Sequence, residues 1–462
     1  MPRPPARHEQ RPGQRAGASG MHHSTPPTQR ERLIDATIEL AAREGLAGLS
    51  IAQITGQAGV SSATFYELFS DKEDCALAAF RTSTRCVLER MRPIEADSLE
   101  SFEQWREQAT AALGRMIDAV CSDTAAAWLL FVESLAGGPR VREERRAVTS
   151  VFQERAERFL FSPAPVGVTL DLPAIAMIGG IRTIVSRHLR ASAEDQLPDL
   201  LEDLVGWLGS YAVPAGRLPW STGPRARLRS GLAAAPAPSP PRRLPRGRHG
   251  LPPSVVARSH RTRIIHATAE VTLAKGYTEA TIADIVAAAG VARQVFYEHF
   301  TDKQNAFLEA QQYPTQHIFE CCAAAYFAPA GWPERVWSGL KALLDLVVVN
   351  PALSHLRLVE CYAAGPAAIR RAEDVTRSFT IFFEEGFAVR PEATQLPRTV
   401  SQAIAGAVFE VIQRYAAAGE IELLPALLPQ LAYIVIAPFT GAEQAIELLD
   451  ELILAERDGR ED

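Results

Sequence analysis

Apolar residues recur at three- and four-residue spacing through most of the chain, and few stretches show the period-two alternation of a half-buried strand. The pattern predicts an all-α protein with no hairpin. In the segment that begins at Gln29, Leu33, Ile34, Ala36 and Leu40 share one helical face, and Gly45 follows the last turn, where a left-handed glycine can close the helix. Ser50 with Gln53 three residues on is a capping box that opens a second, brief helix. That helix must stop at Gly59, after which Val60 anchors a tight turn into a third short helix with Phe65 facing inward. Two short helices joined by a glycine-containing turn make a helix-turn-helix. Ser70-Asp71-Lys72-Glu73 then forms another capping box and starts a fourth helix.

The same pattern returns later in the chain. Residues 32–72 match residues 263–303 at a constant offset of 231, with 18 of 41 positions identical. Conserved between the copies are Gly45/Gly276, Ala58-Gly59-Val60/Ala289-Gly290-Val291, Phe65-Tyr66-Glu67/Phe296-Tyr297-Glu298 and Asp71-Lys72/Asp302-Lys303. Thr281 with Asp284 imitates the first capping box, and Thr301-Asp302-Lys303-Gln304 repeats the second. Weaker similarity continues at an offset near 227, as in Glu133 with Gly138-Pro139 against Glu360 with Gly365-Pro366. The whole architecture is therefore duplicated. The expected division is a basic arm over 1–28, a first helix-turn-helix domain over 29–75 and a first helical domain over 76–213. A linker over 214–259, a second helix-turn-helix domain over 260–306, a second helical domain over 307–441 and a C-terminal helix and tail over 442–462 complete it.

A helix-turn-helix presents the N-terminal part of its last helix to the major groove of double-stranded DNA. Ser61, Ser62, Ala63 and Thr64 hold that edge in the first copy; Ala292, Arg293, Gln294 and Val295 hold it in the second. Arg293 suits guanine, Gln294 adenine, Thr64 or Val295 a thymine methyl, and Ser62 either base type. The two copies are thus expected to read different half-sites, unless one has drifted. Ala292 points to drift, because it cannot cap the helix as the Ser61 hydroxyl can. Tyr66 and Tyr297, the helix-capping Ser50 and Thr281, and Lys72 and Lys303 at the next helix N-terminus are expected to touch backbone phosphates.

The segments VSSATFYELFSDKED and VARQVFYEHFTDKQN resemble the N-terminal signature of TetR/AcrR-type transcriptional regulators. Each matches over about 45 residues, and the C-terminal halves are similar, much more weakly, to that family's effector-binding and dimerisation domains. The resemblance implies two tandem units, each a three-helix DNA-binding domain followed by a helical ligand-binding and dimerisation domain. It implies a regulator, usually a repressor, that releases its operator when a small-molecule effector binds. Members usually carry one unit and form homodimers on palindromes, so two fused units imply either intramolecular pairing on an asymmetric operator or a homodimer of two-headed chains. Ala63 and Gln294 stand where the family commonly has Gly, and Glu67 and Glu298 where it often has His.

Composition changes this picture in two places. With 48 Lys+Arg against 54 Asp+Glu the chain is slightly acidic, so bulk charge names no partner. Residues 28–72 hold four Lys/Arg against six Asp/Glu, whereas residues 258–303 hold six against five, so the first head repels phosphate and needs help. Residues 1–28 carry four Arg and one Glu, and residues 214–260 ten Pro and nine Arg with no acid, so both flanking segments read as disordered arms able to supply salt-dependent attraction or as plain solvated tails. Six cysteines without a CxxC pair fit a reducing cytoplasm, and the N-terminus lacks the apolar core of a secretory signal. Ile421 to Phe439, cut by Pro425, Pro429 and Pro438, is expected to fall short of a membrane span.

No GxSxG, P-loop, HExxH or GxGxxG occurs, and the histidines lack metal-ligand spacing, so no catalysis, metal or cofactor is expected. Glu133 and Glu360 lie in apolar helices at equivalent positions; they are expected either to pair structurally, Glu133 with Arg182, or to anchor a ligand. Trp128, Phe131, Tyr362 and Phe382 are the aromatic candidates for a ligand pocket, with plain core as the competing reading.

Overall fold

The computed structural model describes residues 26–90, 101–161, 168–170, 173–214, 241 and 250–458. The basic arm, up to residue 25, and residues 215–240 and 242–249 of the linker lie outside them. The first unit runs α1 (Gln29–Glu44), α2 (Ile51–Ala58), α3 (Ser62–Leu68), α4 (Lys72–Arg90), α5 (Phe102–Ser122), α6 (Thr124–Phe131), α7 (Pro139–Phe161), α8 (Ala174–Arg190) and α9 (Leu201–Gly209). The second runs α10 (Pro253–Glu279), α11 (Ile282–Ala289), α12 (Arg293–His299), α13 (Lys303–Gln312), α14 (Thr315–Tyr326), α15 (Trp332–Val349), α16 (Pro351–Leu358), α17 (Pro366–Ser378), α18 (Thr399–Ala418), α19 (Leu428–Thr440) and α20 (Ala442–Asp458). The fold is all-α, with one addition the periodicity does not announce: β1 (Val168–Leu170) and β2 (Ala212–Pro214) pair antiparallel. Three residues per strand are too few for an alternation signal to stand out.

Each head has its own small core. Leu33, Ile34, Ile54, Phe65, Phe69 and Phe80 form the first, closed by Leu129 and Leu130 of α6 and Val141 of α7. Ile264, Ile265, Ile285, Phe296, Phe300 and Phe307 form the second, closed by Leu353 and Leu356 of α16. Burying one such ring contributes about 1.5–3 kcal/mol, which is why the two Phe pairs anchor such short helices. Helix α10 begins at Pro253, so residues 253–259, read as linker, extend the first helix of the second head by about two turns.

Beyond the heads, the two units share one continuous core. It joins Trp105, Ile184, Trp207 and Tyr211 of the first unit to Trp332, Ile404, Tyr433 and Phe439 of the second. Helices α8 and α18, at equivalent repeat positions, make the most extensive pairing of elements in the molecule. Their crossing is set by glycines: a Cβ on Gly179 would lie 2.9 Å from the Gly406 carbonyl oxygen, and one on Gly406 3.0 Å from the Gly179 carbonyl oxygen. The reciprocity is that of a two-fold axis at the crossing. Across it Arg182 donates to Glu410 Oε2 from Nε and Nη2 at 2.9 and 2.7 Å, with Arg145 3.6 Å from Oε1. Tyr211 donates its hydroxyl to the Ile434 carbonyl at 2.7 Å.

Residues Ile421–Thr440 do pass for a membrane span by length and composition, contrary to the reading that prolines cut them short. Pro429 stands in the first turn of α19, Pro425 within the short 3-10 helix that precedes it and Pro438 inside α19 near its end, and 72% of the apolar window is buried inside the protein, where its surface serves as core.

Candidate nucleic-acid interface and interunit cleft

Helix α2 ends at Gly59 and α11 at Gly290, with φ of 62° and 61°, the left-handed conformation that turns the chain toward the last helix of each motif. Gly45 and Gly276 also have positive φ, 80° and 79°, but extended ψ, so they bend the chain sharply without the left-handed cap expected of them. Ser50 and Thr281 form full reciprocal capping boxes with Gln53 and Asp284. Their hydroxyls are thereby occupied in holding the helix start.

The reading edges face solvent. Ser61, Ser62 and Ala63 are exposed, as are Arg293 and Gln294, while Thr64 and Val295 are half-buried. Ser61 accepts from the Thr64 amide at 3.1 Å and its hydroxyl meets the Thr64 hydroxyl at 3.0 Å, whereas Ala292 gives no side-chain cap. Arg293 leans on Tyr297 one turn on, its guanidinium carbon 5.8 Å from the ring centroid. Tyr66 and Tyr297 are 61% and 49% exposed, so both phenols are presented to a partner.

The two lysines are less free than the sequence implies. Lys72 Nζ donates to the Leu49 carbonyl at 2.8 Å, and Lys303 Nζ to the Tyr277 and Thr278 carbonyls at 2.8 and 3.2 Å. Each closes the loop ahead of the helix-turn-helix and keeps only its remaining donors for phosphate. The helix starts are capped one residue later than expected: Asp71 accepts from the Asp74 amide and Asp302 from the Asn305 amide, at 2.8 and 2.7 Å. In the first head Arg140 of α7 also grips Asp71 Oδ2 at 2.6 Å and Glu73 Oε2 at 3.3 Å. A carboxylate already occupies the place proposed for phosphate.

Glu133 does not pair with Arg182. Its Oε2 accepts from the Leu46 amide at 2.9 Å, and Glu360 Oε2 accepts from the Tyr277 amide at 2.7 Å. These carboxylates hold the loop between the first two helices of each head onto its helical domain, while Arg182 faces α18 and finds Glu410. Burial pushes the Glu133 carboxyl above its ordinary 4.5, outweighing the Leu46 amide and Arg190. At Glu360 burial also raises, but His355 and the Tyr277 amide together prevail and hold it below 4.5. Sequence reasoning missed Arg263, buried on α10, which donates to the Ala289 carbonyl and, at 3.2 Å, to that of Gly290 and so braces the second turn. Its identity with Arg32 was the available signal.

Among the aromatic candidates, Phe382 packs within a cluster with Phe319, Tyr326 and Phe379, and Trp128 and Phe131 pack against core residues. Tyr362 alone of the candidate ligand residues lines a cleft of about 400 Å³ between α8 of the first unit and α16, α17 and α18 of the second.

Two helix-turn-helix heads with exposed, dissimilar reading edges on one helical body define a tandem DNA-binding protein. A family model for bacterial regulatory proteins of the tetR family matches residues 33–79 and again 264–310, so the chain carries two tetR-type DNA-binding domains in tandem, the equipment of a DNA-binding regulator. Among curated proteins it is similar to the HTH-type transcriptional regulator BetI of Rhizobium meliloti, 26% identical over 199 residues that span 37% of this chain and 95% of that one. It is also similar to the HTH-type transcriptional activator FasR of Mycolicibacterium smegmatis, 21% identical over 33% of this chain and 59% of that one. Among solved structures, the transcriptional regulator FadR from Bacillus subtilis in complex with stearoyl-CoA matches 39% of this chain and 97% of its own, at 19% identity and a TM-score of 0.34.

Proposed function

We propose that the chain is a sequence-specific transcriptional repressor in the cytoplasm, acting as a single-chain pseudo-dimer on an asymmetric operator and released by a small-molecule effector bound among the helices of the body. The observation that carries the reading is the pair of unlike edges on like scaffolds: Ser61-Ser62-Ala63 on one head, Ala292-Arg293-Gln294 on the other, both solvent-facing. The α8–α18 pairing supports two heads used as one reader. Reading helices about one duplex turn, ~34–36 Å, apart would engage two adjacent half-sites. Arg293 and Gln294 would contact bases, Tyr66 and Tyr297 phosphates, and Glu133 and Glu360 would transmit a shift of the body to the heads.

A second reading, a helical ligand-binding or scaffold protein in which a head no longer binds DNA, is favoured by the missing cap at Ala292 and by the net negative first head. Selection of random duplex DNA by the full chain at near-physiological salt separates the two. The proposal expects an asymmetric site with dissimilar halves about one turn apart, Arg293→Ala degrading one half only, and Tyr66→Phe weakening all sites alike. A palindrome would point to pairing of separate chains, and no enrichment would leave the second reading standing.

A further inference from the structure

The cleft at the interunit junction is unusual in its charge. Helix α8 contributes Arg182, Arg187 and Arg190, and the second unit contributes Arg357, Arg370, Arg371 and Arg377. Three of these have carboxylate partners: Arg182 with Glu410, Arg190 with Glu373 at 3.2 Å, and Arg377 with Asp374 at 3.2 Å. Arg187 reaches only the Gln402 side-chain amide, Arg371 only the Leu308 carbonyl at 2.6 Å. Neither they nor Arg357 and Arg370 meet a carboxylate among the described residues. Guanidinium stays protonated in proteins, so four positive charges share the cleft without an internal counter-ion.

Unmet polar atoms lie in the same walls. Arg357 Nη1, Gln311 Oε1 and Arg190 Nε are buried with no hydrogen-bond partner among the described residues, a state that costs free energy unless a ligand completes it. Burial lowers the Arg357 guanidinium to about 10, the direction expected of a cation with no partner. Leu358, Val375, Ala405 and Phe409 form an apolar side to the same cleft.

The arginines of the second unit's wall are not repeated position for position in the first. At the offset of 227, Arg357, Arg370, Arg371 and Arg377 correspond to Leu130, Glu143, Glu144 and Ser150 of the first unit. Arg182 and Arg190 correspond to Phe409 and Ala417, while Arg187 corresponds to Arg414 and the cleft's Ala372 and Glu373 to Arg145 and Arg146, which meet Glu410 and Glu143, so the mirror-related side of the α8–α18 crossing carries a different and internally paired set of charges. Glu144 there is bound to Arg81 at 2.6 Å.

We propose that this cleft is the effector site of the chain, that it takes one organic anion per chain, and that the ligand bears a carboxylate or phosphate group on a compact apolar body. The anionic group sits among Arg357, Arg370 and Arg371, where the planar forks of guanidinium match its oxygens. The apolar body lies against Phe409 and Val375. Because α8 and α18 both border the cleft, the ligand bears on the packing of one unit against the other. Its role as effector site and that last consequence rest on the effector response proposed above; the binding of the anion does not.

Calorimetric titration of the DNA-free full-length chain with octyl phosphate, octanoate, inorganic phosphate and octanol tests it. The expected result is one site per chain for an octyl anion, no comparable binding of octanol or phosphate, and a loss of at least about tenfold in affinity in both Arg357→Leu and Arg370→Glu. Arg357→Leu installs the residue that the first unit carries at the equivalent position, and Arg370 is exposed, so Arg370→Glu keeps the test valid should the first variant unfold. Two sites per chain, octanol or phosphate binding as tightly as the octyl anions, no binding at all, or affinity unchanged in a folded variant would overturn the proposal. Tight anion binding without release of selected DNA would leave this site standing and overturn the effector response.

Discussion

At the residue scale the two latch carboxylates are the most informative positions, because equivalent residues titrate in opposite directions. Glu133 is raised by burial, so the stability it contributes is fully present below the unfolded value near 4.5 and is lost as pH rises through the raised folded value. Glu360 is lowered, so its contribution is present above the unfolded value and is lost as pH falls through the folded one. Acidification should therefore loosen the second head's attachment and spare the first. Hydrogen exchange at the Leu46 and Tyr277 amides, followed from pH 7 down through the window below 4.5 to about pH 3 and corrected for intrinsic rates, should show protection falling at Tyr277 alone; parallel behaviour would contradict the assignment. Glu133→Ala strands the buried Leu46 amide and should cost about 1–3 kcal/mol in chemical denaturation of the first head, while Glu133→Gln, which keeps an acceptor, should cost much less.

At the element scale the heads differ in one removable feature. Helix α3 is capped by Ser61 and α12 is not capped by Ala292, although both begin with nearly the same backbone angles, φ of −71° and −74°. Ala292→Ser should therefore stabilise the second head by about 0.5–2 kcal/mol, and Ser61→Ala should destabilise the first by a similar amount. Unfolding curves of the full chain, read with head-specific amide protection, check both. Should Ala292→Ser also sharpen the DNA sequence preference at one half-site, the missing cap has cost order at the reading edge. Larger losses, about 3–5 kcal/mol, are expected of Phe65→Ala or Phe296→Ala, since each ring is fully buried in a core too small to close over a cavity.

At the scale of the molecule the Gly179–Gly406 crossing is the joint on which the two units meet. Substituting Leu at Gly406 would drive a side chain into Thr183 and the Gly179 carbonyl, so α8 and α18 must separate. Gly406→Leu should lower the melting temperature and abolish high-affinity binding to a two-half-site operator while leaving the fold of each head intact by amide protection. Breaking the Arg182–Glu410 pair by Arg182→Met should be destabilising by roughly 3–5 kcal/mol, because it leaves a buried carboxylate with only Arg145 at 3.6 Å. Replacing both partners with apolar residues should restore much of that loss.

Local signals in this sequence were sufficient for the helical class, the duplication and both helix-turn-helix motifs, because caps, glycine stops and the Phe-Tyr…Phe faces act within a few residues of one another. The unlike reading edges were legible for the same reason: Arg293 and Ser62 sit in aligned, solvent-facing places. What the chain does with longer-range partners was not legible. Lys72 and Lys303 look like free phosphate ligands until folding brings the Leu49 and Tyr277 carbonyls to them. Glu133 looks like a partner for Arg182, yet the partner of each depends on which surface α6 and α8 present, and that is set by packing between segments far apart in the chain. The arginine cleft is assembled from residues 182–190 and 311–413, and no local pattern reports it. Sequence determined what each segment becomes, through interactions a few residues long; tertiary structure decided which charges meet, because burial and distance exist only once the two units close on each other.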